Sequence, residues 1–164
     1  MTNAEFETIF EAHKDAVYGF AWRMTGSAAV AEDIAQDCFT SLWKAPGRFD
    51  SSRGTARAWL LGIARHLILK RWRVESRWTA LEEGNTVPAL TPPPADWSTV
   101  QKVAYAVQSL PPLQREVVVL IEYEGMSLQE AATTVDTEVG TVKARLHRAR
   151  ENLRRLLEPL RSSP

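Results

Sequence analysis

Two basic stretches and one acidic stripe hold the side chains that could do chemistry in this chain of 164 residues. From Ser127 to Arg150 the sequence predicts a short helix, a turn of three to four residues and a longer basic helix, the spacing of a helix-turn-helix. Ala131 and Ala132 are small enough for the second helix to cross closely over the first. Val139, Val142 and Leu146 form its inward stripe, and Thr141, Lys143, Ala144, His147 and Arg148 fall on or beside the opposite face. Such a face fits the major groove of duplex DNA, where Lys and Arg can reach guanine acceptors. Arg145, Arg150, Arg154 and Arg155 are placed for phosphates. An ordinary helical hairpin with a basic outer face is the plain alternative.

The other basic stretch runs from Gly47 to Arg77. Arg48, Arg53, Arg57, Arg65, Lys70, Arg71, Arg73 and Arg77 are interleaved there with Phe49, Trp59, Trp72 and Trp78. Cations mixed with aromatics suit single-stranded or melted nucleic acid, because phosphates pair with the former and bases stack on the latter. For Trp59 a core position is the favoured alternative, while Trp72 and Trp78 stay open between core and surface. The acidic stripe is Asp33, Gln36 and Asp37, at i, i+3 and i+4, and so on one helix face. Thr40 and Lys44 extend that face. It suits an Arg-rich partner helix, and equally a solvated surface. Paired carboxylates can also do acid–base catalysis. No nucleophile, metal-ligand cluster or Gly-rich phosphate loop accompanies them, so an enzyme, a cofactor and a small-molecule substrate are not expected.

Zero net charge conceals these stretches, because acidic and basic blocks alternate. Residues 1–45 carry −4, 46–78 carry +6, 79–99 carry −3, 100–140 carry −4 and 141–164 carry +5. Two separate cationic blocks argue for two contacts with a polyanion. The anionic blocks argue for faces that meet something else. No apolar run is long enough to span a membrane, and the charged N-terminal segment is unlike a signal peptide. The single cysteine, Cys38, excludes an internal disulfide and a Cys-based metal site. A cytoplasmic, metal-free protein is expected.

The helices that must position these residues are legible from period and punctuation. The expected fold is all-α, two small helical domains joined by a flexible linker. In the first half, Phe6, Phe10, His13, Val17, Phe20 and Met24 recur at helical steps behind a Thr2–Glu5 capping box, with His13 half-buried. A second helix from Ala28 turns Val30, Ala31, Ile34, Cys38 and Leu42 inward and stops at Pro46-Gly47, with Cys38 a small core residue. A third, from about Thr55 to Arg77, is expected to bury Trp59, Leu60, Ile63, Ala64, Leu67 and Ile68. Residues 79–97, with Gly84, Asn85 and Pro92-Pro93-Pro94, read as an acidic, semi-rigid linker. The second half reads as four helices: one from a Ser98 cap, one through Leu113, Val117, Leu120 and Ile121 ending at Gly125, one from a Ser127–Glu130 capping box, and one from about Glu138 to Leu157.

Several segments resemble a known family. Residues 31–37, AEDIAQD, are similar to the family stretch AEDLVQE; Phe49-Asp50 followed by residues 58–65, AWLLGIAR, resembles RFD…AWLLRIAR. Residues 110–117, LPPLQREV, resemble LPELQREV, and residues 139–150, VGTVKARLHRAR, resemble VGTVKSRLHRAR. These stretches are those of the extracytoplasmic-function (ECF) group of the sigma-70 family of bacterial RNA polymerase sigma factors, in order over nearly the whole chain. The resemblance implies that residues 1–78 are region 2, 79–97 the linker and 98–164 region 4. It implies that Asp33, Gln36 and Asp37 dock on the clamp helices of the largest polymerase subunit. Arg48, Phe49, Asp50 and Arg53 in the 47–54 loop, with Arg57, Arg65, His66, Lys70 and Arg71 on the next helix, would take the minus-10 element with a flipped base. Thr141, Lys143, Ala144, His147 and Arg148 would read the minus-35 element. The linker would thread toward the RNA exit path. Core RNA polymerase and promoter DNA are the implied partners, together with an anti-sigma factor, in many members membrane-anchored, that clamps both halves.

The chain departs from the pattern where Asp136 replaces the turn Gly and where Thr134, Thr137 and Glu138 replace two apolar residues and a Pro. Asp tolerates a left-handed backbone better than most residues, so the turn is expected to survive. His66 and Ala56 stand where Asn and Phe are common, which bears on minus-10 preference. No added sensor domain is expected after Pro164. Two other readings compete: a stand-alone helix-turn-helix regulator, which leaves the first basic stretch unexplained, and a helical interaction protein that binds no nucleic acid.

Overall fold

A computed structural model describes residues 1–74 and 93–161, with side chains as far as Glu158. Most of the expected linker, together with Arg77 and Trp78, lies outside the described residues. The chain divides into two compact units, one carrying α1–α3 and the other α4, α5 and α7. Among the described residues there are helices and turns but no strand.

In the first unit α1 is Asn3–Thr25, α2 is Ala28–Lys44 and α3 is Ala56–Val74. Side-chain caps set where each begins. The Glu5 amide donates to Thr2 Oγ1 at 3.1 Å and the Thr2 amide to Glu5 Oε2 at 2.8 Å, so the expected capping box forms. Gly26, in the left-handed region at φ 71°, closes α1, and Ser27 Oγ accepts from the Val30 amide at 3.2 Å to open α2. The three helices pack pairwise around Val17, Phe20, Leu42, Leu60, Leu61 and Ile68, all nearly or fully buried. Burying each such side chain contributes roughly 1.5–3 kcal/mol.

The expected inward stripe of α3 is corrected by the structure. Leu60, Ala64 and Ile68 are buried as read, but Leu61 and Trp72 complete the core face. Trp59, Ile63 and Leu67 are only half-buried. Trp72 is therefore a core residue, exposed by 4%. On α2, Phe39 joins the buried set, and Val30 is half-buried.

Cys38 is fully buried, and its Sγ donates to the Leu60 carbonyl at 3.2 Å. Burial pushes its thiol up to about 12, so the nucleophilic thiolate is scarce at neutral pH. Native protein should resist iodoacetamide for hours while urea-unfolded protein is alkylated in minutes. Equal rates by mass spectrometry would contradict the buried position.

In the second unit α4 is Thr99–Ser109, α5 is Pro112–Val118 and α7 is Val139–Arg161, and α6, Leu128–Thr134, precedes α7 along the chain. A full capping box starts α4: the Gln101 amide donates to Ser98 Oγ at 3.1 Å and the Ser98 amide to Gln101 Oε1 at 2.8 Å. The helix expected to end at Gly125 does so, but after α5 the chain widens into a π turn, Val119–Tyr123. Gly125 then takes φ 69°, in the left-handed region. Both α4 and α5 pack on α7, and the core here includes Val117, Val119, Leu120, Val142 and Ala149.

Candidate nucleic-acid and partner interfaces

The turn between α6 and α7 depends on one residue. Asp136 has φ 53°, and it is the one non-glycine residue with positive φ among those described. The Thr137 amide donates to the Ala132 carbonyl at 2.9 Å and the Asp136 amide to the Thr133 carbonyl at 3.3 Å. This is a Schellman closure of α6 with Asp standing in for Gly. Ser127 Oγ opens α6 by accepting from the Glu130 amide at 3.1 Å. Ala131 and Ala132 are both buried.

On α7, Val142, Leu146 and Ala149 are buried, while Lys143, Ala144, His147 and Arg148 are exposed and Thr141 is half-buried. Lys143, Ala144, His147 and Arg148 share one outward face. Along it, His147 Nε2 lies 3.1 Å from Glu151 Oε1. Two of the cations expected at phosphates, Arg150 and Arg155, are exposed and also bond within the chain. Arg150 Nη2 donates to Glu122 Oε1 at 2.7 Å, and Arg155 Nη2 donates to Asn152 Oδ1 at 2.6 Å.

The roll of α7 is held by polar groups that the sequence reading missed. Asn152 is 7% exposed, and its Nδ2 donates to Oε1 of the equally buried Gln114 on α5 at 2.8 Å. Glu116 is 1% exposed on the same short helix. A signal existed: Asn152 lies three residues beyond Ala149, at an inward position of the helical period. Asn152→Leu should destabilise the protein by about 1–3 kcal/mol, because it removes the buried bond to Gln114 together with the bond from Arg155. Denaturant unfolding measures this; a loss below a few tenths would mean the bond contributes little.

The residues expected at the minus-10 site are spread over several surfaces. Arg48 closes a 3₁₀ turn, Pro46–Arg48, and Phe49 packs its ring 5.7 Å from Trp59 at 57°. Asp50 Oδ1 accepts from the Ser52 hydroxyl at 2.7 Å and the Ser52 amide at 3.0 Å. These two donors hold the Asp50 carboxyl below the usual carboxylate range, and Arg53, 3.8 Å away, adds to this. Asp50 thus shapes the loop from within, while Arg48 and Arg53 extend into solvent. On α3, steps of 100° place Trp59, Ile63, His66 and Lys70 on one outward face. His66 and Lys70 are exposed there. Arg57, Arg65 and Arg71 lie off that face and are half-buried. Arg57 is close enough to α1 that its charge, after burial, lowers the affinity of His13 for a proton. Arg71 leans toward α2, its Nη1 4.0 Å from Asp33 Oδ2.

Asp33, Gln36 and Asp37 are all exposed on α2, together with Thr40 and Lys44. Gln36 and Thr40 also border a groove between α1 and α2 floored by aromatic rings. Sequence reasoning put Phe6 and Phe10 on the apolar period of α1 and did not foresee the groove; they are half-buried. Among the described residues no group of three His, Cys, Asp or Glu side chains could hold a metal ion. No described helix is long and apolar enough to cross a membrane.

Both units resemble known proteins. Residues 9–78 match Sigma-70 region 2, and residues 101–153 match Sigma-70, region 4. The chain is 35% identical over 156 residues to the ECF RNA polymerase sigma factor SigE of Mycolicibacterium smegmatis, covering 91% of this chain and 60% of that protein. It is 34% identical to the RNA polymerase sigma factor CarQ of Myxococcus xanthus, covering 94% of this chain and 90% of that protein. Among solved structures, the sigma factor RpoE from Bartonella quintana, in complex with the anti-sigma factor NepR, is 28% identical with a TM-score of 0.76. That match covers 94% of this chain and 97% of the other. CnrH, in complex with the cytosolic domain of CnrY, is 28% identical with a TM-score of 0.71, covering 96% and 90%. With two region families in order along the chain and CarQ matched over 90% of its length, the chain belongs to the extracytoplasmic-function group of the sigma-70 family of RNA polymerase sigma factors.

Proposed function

We propose that this sigma factor works in the cytoplasm as a promoter-specificity subunit without chemistry of its own, residues 1–78 acting as region 2, 79–97 as the linker and 98–164 as region 4. Core polymerase docks on Asp33, Gln36 and Asp37. The outward face of α7 enters the minus-35 major groove, with Lys143 and Arg148 reaching base acceptors and Thr141, Ala144 and His147 beside them. The 47–54 loop and the Trp59–Lys70 face of α3 hold the melted minus-10 strand, where an unstacked base needs an aromatic and cationic pocket. The observation that carries this reading is the exposed face of α7, Lys143, Ala144, His147 and Arg148, reached from α6 through the left-handed Asp136 turn. The half-buried positions of Arg57, Arg65 and Arg71 favour flanking phosphate contacts over base reading for them.

Control by an anti-sigma factor is part of the proposal. The sigma factor RpoE named above was solved with the anti-sigma factor NepR, and CnrH with the cytosolic domain of CnrY. Run-off transcription with core polymerase and a pool of promoter fragments tests the whole reading. The expected result is transcripts from a sequence-related subset, absent without the chain. Association with polymerase but no promoter opening, or no association, would overturn it.

A further inference from the structure

A carboxylate stands on the cationic outward face of α7. Glu151 is exposed one helical turn past His147, and its Oε1 lies 3.1 Å from His147 Nε2, within hydrogen-bonding distance. The His147 and Glu151 side chains are 72% and 58% exposed, so the pair lies in the open and contributes little to stability. Lys143 stands one turn before His147 with Arg148 beside it, and Arg154 and Arg155 follow Glu151 within the next turn. A negative charge among these cations weakens the pull of the face on a polyanion. The pair therefore costs DNA affinity and returns little stability. What it does change is the imidazole. The two ring nitrogens differ, and the bond that one makes decides what the other offers. With Nε2–H donated to Glu151, the neutral ring leaves Nδ1 as a bare acceptor. Without the carboxylate the ring can turn and exchange tautomers, and either nitrogen can present either function.

We propose that Glu151 is the positioning residue for His147, fixing the imidazole so that Nδ1 accepts a hydrogen bond from a base in the minus-35 major groove, a proposal that rests on the reading of α7 above. In that groove only adenine N6 and cytosine N4 offer hydrogens; guanine presents two acceptors, and thymine an acceptor and a methyl group. His147 held in this way selects an amino-bearing base, adenine or cytosine, at the one position it faces. Lys143 and Arg148 carry donors alone, so they select acceptor edges such as guanine O6 and N7. The face then reads hydrogen bonds of both polarities. Glu151 supplies the second polarity through the ring and touches no base itself.

The test is run-off transcription by core polymerase reconstituted with full-length variants, at pH 8 and fixed salt, on a promoter library randomised over the minus-35 element, with thermal unfolding alongside. At one position the wild type should favour adenine or cytosine over guanine and thymine by on the order of tenfold. Glu151→Ala should reduce that preference to within about twofold and leave the ranking at the other positions intact. His147→Ala should do the same at the same position, and the double variant should lose no more than either single one, because each removes the same contact. Glu151→Gln keeps an acceptor for Nε2–H without the charge, so it should restore the preference. Failure of that rescue would assign the effect to charge and overturn the proposal. A wild type that favours an amino-bearing base at no position would overturn it too. If Glu151→Ala leaves every ranking unchanged while Lys143→Ala plus Arg148→Ala erases discrimination, the proposal is overturned and α7 still reads the element. If Glu151→Ala and His147→Ala act at different positions, or their effects add, Glu151 meets a base directly and the proposal is again overturned. If no variant on α7 alters any ranking, the reading of α7 falls with it.

Discussion

Asp33→Arg combined with Asp37→Arg is expected to abolish binding to core polymerase while leaving the fold intact. Both side chains are exposed on α2, so neither contributes buried packing. Asp33 lies 4.0 Å from Arg71, between side chains 64% and 39% exposed. A pair that open contributes less than about 1 kcal/mol, so thermal stability should barely move. Binding is different, because each reversal replaces an attraction by a like-charge contact that costs several kcal/mol when desolvated. Two reversals should therefore lower affinity by on the order of a thousandfold or more. Size-exclusion co-elution with core polymerase and a parallel melt measure the two halves of this expectation. Retained co-elution would remove the acidic face from the docking surface.

The second large effect concerns promoter choice. Lys143→Ala plus Arg148→Ala should erase discrimination at the minus-35 element without affecting polymerase binding. Both side chains stand exposed on the outward face of α7, opposite the buried Val142 and Leu146, so the helix itself should persist. Each good base contact is worth roughly 1–3 kcal/mol, so the pair together should reduce selectivity by about one to four orders of magnitude. Transcription from matched and scrambled minus-35 promoters, at fixed salt, gives the ratio directly. A phosphate-only role would weaken both promoters alike and lower the salt slope instead. An unchanged ratio with unchanged salt slope would mean that α7 does not read this element. The free chain should bind duplex promoter DNA weakly in either case, since each unit offers one small patch and joint binding must order the linker.

Local sequence determined much of this protein. Helix starts followed from Thr2, Ser27, Ser98 and Ser127, whose side chains all accept the backbone donors expected of caps. The left-handed turn at Asp136 was also legible, because the allowed backbone at one residue is set by its own side chain. The exposed positions of Asp33, Gln36 and Asp37 followed from i, i+3, i+4 spacing on a helix whose other face is apolar. Tertiary structure decided the rest. Nearly the whole circumference of α3 is apolar or amphipathic, so its period could not say which arc faces α1 and α2; packing chose Leu61 and Trp72 and left Trp59 and Ile63 toward solvent. The Gln114–Asn152 bond joins residues 38 apart, and Arg150–Glu122 joins residues 28 apart. Whether a polar side chain is buried and paired, or exposed and free to bind DNA, depends on what a distant segment brings against it. The aromatic groove has the same origin: its rings come from two helices, and only their packing turns four hydrophobic residues into a surface with a shape.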